Sequence, residues 1–181
     1  MTSDATAKDS GSSVFDAQPH LTGDLLELRP LREADFAALY AVAADPLIWE
    51  QHPVPDRYRE EVFRDFFAEH LASGGALIVL DRSTNAVIGT SRFHGYDPKR
   101  SEVEIGWTFL ARSYWGGTHN RELKALMLGH AFRFVRTVVF LVHPGNIRSQ
   151  RAVEKLGAAR IGERLDGNGR RSFVYALERP G

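Results

Sequence analysis

The sequence predicts a mixed α/β domain, with a mostly antiparallel sheet of roughly six to seven strands and helices on both faces. Three observations carry that expectation. Short apolar runs rich in β-branched residues recur between turn residues, as half-buried or buried strands require. Across residues 76–110 the connections between these runs are too short for a helical crossover, so the strands are antiparallel neighbours. Further on, a helical pattern, a β-branched run and a second helical pattern follow one another, which adds a β-α-β unit. The length of 181 residues suits one domain. A chain of that size hides roughly 70% of its unfolded surface.

Residues 1–20 are mostly Ser, Thr, Asp, Gly and Ala with little to bury. They predict a disordered leader, with the domain over 21–181. Leu25 to Arg29 reads as a strand closed by Pro30. Arg32 to Ala44 reads as a helix, with Phe36, Leu39, Tyr40 and Ala43 at helical spacing and Asp45-Pro46 as its stop. Asp56 is the expected cap of a second helix through Leu71, with Tyr58, Val62, Phe66 and Phe67 on its apolar side. Ser73-Gly74-Gly75 ends it. Strands are then expected at 76–80, 87–93 and 102–110, the first two closed by turns at 81–85 and 95–98. A helix follows over 120–135, with Leu123, Leu126, Met127, His130, Ala131 and Phe134 on one face. Thr137 to Val142 reads as a buried strand, and Asn146 to Leu156 as a helix stopped by Gly157. The chain closes with a hairpin, 161–164 against 173–177, turning at Asp166-Gly167-Asn168-Gly169.

Composition narrows the function. Lys plus Arg and Asp plus Glu number 23 each, so the formal net charge is zero. Nothing in that balance calls for nucleic acid or an anionic membrane as partner. Cysteine is absent, which excludes disulfides, thiolate metal sites and a Cys nucleophile. No stretch approaches the roughly 20 apolar residues of a membrane span, and the N-terminus has no signal-like apolar run. The expected location is the cytoplasm. The seven histidines show no metal-ligand spacing, and neither a G-x-S-x-G elbow nor a Walker loop is present. His130, on the apolar side of its helix, reads as a satisfied core residue.

Four segments carry a resemblance: LELRPLREADFAALY, VEIGWTFLARSYWGG, HPGNIRSQRAVEKLGA and RIGERLDGNGRRSFVYAL. Together with the element order they resemble the GNAT acetyltransferases, in particular the branch of the ribosomal-protein N-terminal acetyltransferases. The resemblance implies acetyl-CoA as cosubstrate, a primary amine as acceptor, direct acetyl transfer and no metal. It implies one GNAT-type domain, and the general run of oligomers makes a monomer or homodimer the expected state. In one segment the chain departs from the family. The cofactor loop usually reads Gln or Arg, two residues, Gly, one residue, then Gly or Ala. Here Trp115 holds the first position, Thr118 the second glycine position and Asn120 the last. Gly116 and Gly117 still allow a sharp turn with N–H groups aimed at a pyrophosphate, and the helix begun near Asn120 points its positive end there. The altered positions motivate an alternative: a non-catalytic CoA-binding or regulatory module.

The resemblance also implies roles. The backbone of Trp107, Thr108, Phe109 and Leu110 pairs with the pantetheine arm as an added strand. Arg112, Gly116, Gly117, Thr118, His119 and Asn120 belong to the phosphate end, and Asn146 bonds the arm. Arg121, Lys124, Arg148 and Arg151 lie near that end, each more simply read as part of a solvated face. Val153 stands where many relatives carry a leaving-group Tyr; Ser149, just after the Asn, matches the Ser of the ribosomal branch. Trp49, His52, Pro53 and Tyr58 fall where the fold shapes its acceptor pocket. A base is needed too. Neutralising an α-amine at pH 7 costs about 1.4 kcal/mol against about 4.6 for a Lys amine. Glu104, on the strand expected to face the acetyl group, is the candidate base; Glu102, on the same face by period two, is second.

Overall fold

The computed structural model describes residues 14–165 and 169–181. Among these, eight strands form one sheet: β1 (Leu21–Thr22), β2 (Leu26–Pro30), β3 (Ala76–Asp81), β4 (Ala86–Asp97), β5 (Glu102–Leu110), β6 (Thr137–Val142), β7 (Ala159–Leu165) and β8 (Arg171–Glu178). Their order across the sheet is β1-β2-β3-β4-β5-β6-β8-β7. All neighbours are antiparallel except β5 and β6. The four helices are α1 (Phe36–Ala43), α2 (Glu60–Ala72), α3 (Thr118–Ala131) and α4 (Ile147–Glu154).

Two apolar layers sandwich the sheet, as its side-chain alternation requires. On β3, Leu77 and Val79 face a cluster with Leu123 and Met127 of α3 and Val153 of α4. Ala76, Ile78 and Leu80 face the other cluster, with Leu39 of α1 and Phe63, Phe66 and Phe67 of α2. The predicted fold class is therefore the observed one.

The differences have local causes. The eighth strand is β1, whose two residues pair Leu21 with Leu28; two residues carry no legible alternation. Within 14–20, read as leader, Phe15 and Pro19 are buried: Phe15 is 8% exposed and stacks on Tyr96 with edge contacts to Phe93 and Phe134. Residues 1–13 and the turn positions Asp166, Gly167 and Asn168 lie outside the described residues. The first helix opens as a 3₁₀ turn, Glu33–Asp35, because the Asp35 carboxylate accepts from the Arg32 N–H and pairs with Arg29 at 2.7 Å. The second starts at Glu60 and not after Asp56, since the Asp56 carbonyl closes a turn on the Arg59 N–H. Strand β4 continues past the turn expected at 95–98, bending at Gly95 with a register shift between His94 and Asp97. Helix α3 begins two residues early, at Thr118, and gives way to turns after Ala131.

Candidate active site

Parallel pairing of β5 and β6 covers only Glu102–Glu104 against Thr137–Val139. Both strands run on, to Leu110 and Val142, without pairing each other. The sheet is thus split from Ile105 onward, leaving backbone donors and acceptors along an open slot. A bulge in β5 accompanies the split. On β4, Thr90 and Arg92 are two apart, yet they pair with Phe109 and Gly106, three apart. The extra residue sits at Trp107, whose φ of 51° is in the left-handed region. The bulge reverses the facing: Val103 and Ile105 point to the α3 side, but so does Leu110, while Phe109 joins the α2 side.

Below the slot, a 3₁₀ turn at Arg112–Tyr114 leads through Trp115, Gly116 and Gly117 into α3. Gly116 has φ +67°, which glycine adopts without strain, and a Cβ there meets no atom within 4 Å. Gly117 is the residue before the first helical turn, and no side chain caps that turn. The leading N–H groups of α3 are therefore open to an anion, in an end that already favours negative charge. The Thr118 side chain is exposed and Asn120 is half-buried. His119 stands edge-on to Tyr114 at 4.8 Å between ring centroids.

Lys124 overturns the expectation of a solvated face. It is 6% exposed; its Nζ donates to Thr108 Oγ1 at 2.8 Å, and that oxygen shares a 2.7 Å hydrogen bond with Ser91 Oγ. The ammonium also lies 5.6 Å from the Phe140 ring centroid. Thr108 belongs to β5 and Phe140 to β6, so Lys124 underlies both banks of the split. Burial lowers its pKa to about 7. The signal was present: Lys124 shares a stripe with Met127 and Ala131, three and seven residues on.

The opposite face holds Glu104. Flanked by Val103 and Ile105, which point to the α3 side, it points to the α2 side at the last β5–β6 pair before the split. Burial, the largest cause, pushes its pKa up to about 7; Arg92 and Arg164 oppose that and Glu102 adds to it. Glu102, the second candidate, is engaged by Arg164 at 3.3 Å and Arg100 at 3.5 Å. Beside Glu104 are Arg92, stacked on Trp107 at 3.3 Å, and His94, edge-on to Trp107 at 5.2 Å. Trp49 is buried, with its indole N–H on the Ala43 carbonyl and its ring 4.9 Å from Phe109. Of the other expected acceptor-side residues, His52 is half-buried next to Arg57 and Tyr58 is 38% exposed.

The far bank is α4. The Asn146 side chain accepts from the Ser149 N–H at 3.1 Å and so caps the helix. The Ser149 hydroxyl has no hydrogen-bond partner among the described residues. The Leu110 carbonyl accepts from the Trp115 indole N–H at 2.9 Å, so a pantetheine arm bonded there would share it. Arg112 pairs with Asp45 and so is not a free cation at the loop. Arg148 is likewise no solvated residue: it lies over Trp115 at 3.9 Å and donates to the Ile48 carbonyl at 2.9 Å. Arg121 and Arg151 are exposed. His130 is satisfied in the core, its Nε2–H donating to the Asp16 carbonyl at 2.7 Å.

The sequence matches the family model for the acetyltransferase (GNAT) domain over residues 26–159. An assigned acetyltransferase from T. thermophilus is 31% identical, with 88% of each chain covered and a TM-score of 0.71. RimJ of Mycobacterium smegmatis, solved in complex with CoA-disulfide, shares the fold at 18% identity, with 84% of this chain and 81% of that one covered and a TM-score of 0.65. An assigned ribosomal-protein-serine acetyltransferase from Vibrio cholerae shares it at 14% identity, covering 88% and 97%, with a TM-score of 0.72. A family match over most of the chain, joined by a relative identical at about a third of positions, makes this protein a member of the GNAT acetyltransferase family.

Proposed function

We propose that the protein moves an acetyl group from acetyl-CoA to a primary amine by direct attack, with Glu104 as general base and Ser149 assisting the leaving sulfur. The observation that carries this reading is Glu104 itself: a carboxylate at the start of the split, held by burial at a pKa of about 7. A base with that pKa is half deprotonated at neutral pH and still basic enough to take a proton. The residues fit the cosubstrate. The open first turn of α3 and the unfilled space over Gly116 suit a diphosphate, and the unpaired backbone of β5 beyond Ile105 suits an amide-bearing arm.

When bound, acetyl-CoA supplies an activated acetyl group as a thioester. Glu104 accepts the proton that the amine gives up as the N–C bond forms. The Ser149 hydroxyl donates a hydrogen bond to the sulfur as the C–S bond breaks, so the amide and the CoA thiolate are the products; the thiolate takes its proton from water as Glu104 returns its own to solvent. Backbone N–H groups at the Trp107 bulge polarise the carbonyl oxygen. The test is thiol release over a panel of amines and peptides. Glu104→Gln should lower kcat/KM by about 10²–10³, and Ser149→Ala by roughly tenfold, the loss of one neutral hydrogen bond. If no amine releases thiol from the wild-type protein, the transferase reading is wrong.

A further inference from the structure

Two guanidinium groups on the α2 side of the sheet are left unused by this mechanism. Arg92, 8% exposed, lies against Trp107. Arg57, in the loop before α2, covers Phe66 at 4.3 Å and Trp49 at 5.2 Å, with one terminal nitrogen 3.1 Å from His52 Nε2. Each has a buried Nε with no hydrogen-bond partner among the described residues. Among the described residues neither has a carboxylate within 4.0 Å. A guanidinium taken out of water without a counter-charge is costly unless another partner supplies one.

The surrounding groups do not supply it. The acids facing Arg92 are Glu104 and Glu69; those facing Arg57 are Glu69 and Asp56. Glu69 is exposed and none of the three makes contact. Arg170 adds positive charge near Arg57. His52 and His70 are neutral, with pKa values lowered by burial to about 3. His70 faces both arginines, stacks on Phe66 and bonds Thr90, two residues before Arg92. That chain of contacts ties Arg57 and Arg92 to one patch. The patch also abuts the base: Arg92 pairs in register with Gly106, and the Glu104 carboxylate bends over that glycine, where a Cβ would lie 3.1 Å from Oε1.

We infer that Arg92 and Arg57 form a carboxylate-binding subsite, so that the acceptor is a primary amine carrying a carboxylate within a few bonds of its nitrogen. The inference rests on the transferase reading above and names its substrate class. The amine goes to Glu104, and the carboxylate meets the Arg92 guanidinium across one strand spacing, roughly 5 Å, with Arg57 adding positive charge to the same patch. Polyamines bring only positive charge to this patch and are poor acceptors. A free α-amino acid supplies the carboxylate directly; a peptide supplies it when its first residue is acidic.

The test is thiol release from acetyl-CoA with matched acceptors: free amino acids against their amides, and peptides beginning with Asp against those beginning with Asn. Wild-type kcat/KM should favour the carboxylate member of at least one pair by about 10- to 100-fold. Free acids leading points to small-molecule acceptors; Asp-first peptides leading points to chain termini. In Arg92→Gln and in Arg57→Gln the ratio should collapse toward one, whatever the absolute rates. Arg57, in a loop, is the variant that stays informative if Arg92→Gln fails to fold. Turnover that is equal within every pair overturns the inference and leaves the transferase standing. No release with any acceptor overturns both.

Discussion

Burial acts on Glu104 and Lys124 in opposite directions and brings both to a pKa of about 7. For Glu104 the folded value lies above the unfolded one, so the native state binds the extra proton. Its stability contribution therefore falls as pH rises from about 4.5 to about 7. Glu104→Gln should melt higher than wild type at pH 8, with the gap closing at pH 5, even as activity is lost. The kcat/KM of wild type should rise with a midpoint near pH 7, and this limb should vanish in the variant. Lys124 has the reverse linkage. Its folded pKa lies below the unfolded one, so the cost of holding it is full below pH 7 and fades toward about 10.5. Lys124→Met, which fills similar space, should raise the melting temperature most at or below pH 7 and progressively less at higher pH. A lower melting temperature across that range would show that the hydrogen bond to Thr108 outweighs the burial cost.

Helix α3 does two jobs at the scale of elements. Its first turn faces the slot, and Glu122, one turn on, fixes the start of β2 from the side. The Glu122 carboxylate accepts from the N–H groups of Asp24, Leu25 and Leu26 at 2.7, 2.9 and 2.8 Å. Gly23 is needed for that clasp, because a Cβ there would lie 2.6 Å from the carboxylate. Gly23→Ala or Glu122→Ala should cost about 2 kcal/mol through the N–H groups left without an acceptor. For this size of domain that is roughly 4–8 °C in melting temperature. Neither the clasp nor the Trp115 bond to Leu110 was legible in the sequence, since both depend on where two distant segments meet. Strand β5 and its Glu104 were legible, because alternation around Val103 and Ile105 fixes which face the carboxylate takes. The bulge at Trp107 was not, and it breaks the period-two rule for Phe109 and Leu110.

At the scale of the molecule, periodicity revealed every long element but misplaced several ends, where turns such as Asp56–Arg59 and the bend at Gly95 override the pattern. Arg57 and Arg92 escaped notice for a related reason: their isolation from carboxylates is a property of the folded patch and not of either neighbourhood in the chain. The parts cooperate. The split sheet opens backbone on β5, the diglycine bend presents an uncapped helix start, and α4 holds Ser149 in its first turn, capped by Asn146. A ligand that binds the native state alone stabilises it with the logarithm of its concentration over Kd. The most direct measurement is the melting temperature with and without acetyl-CoA at about 100 times its Kd, where binding contributes about 2.7 kcal/mol. The expected result is a rise of roughly 5–10 °C. No rise at millimolar acetyl-CoA would contradict the claim that the split and the helix start form its seat.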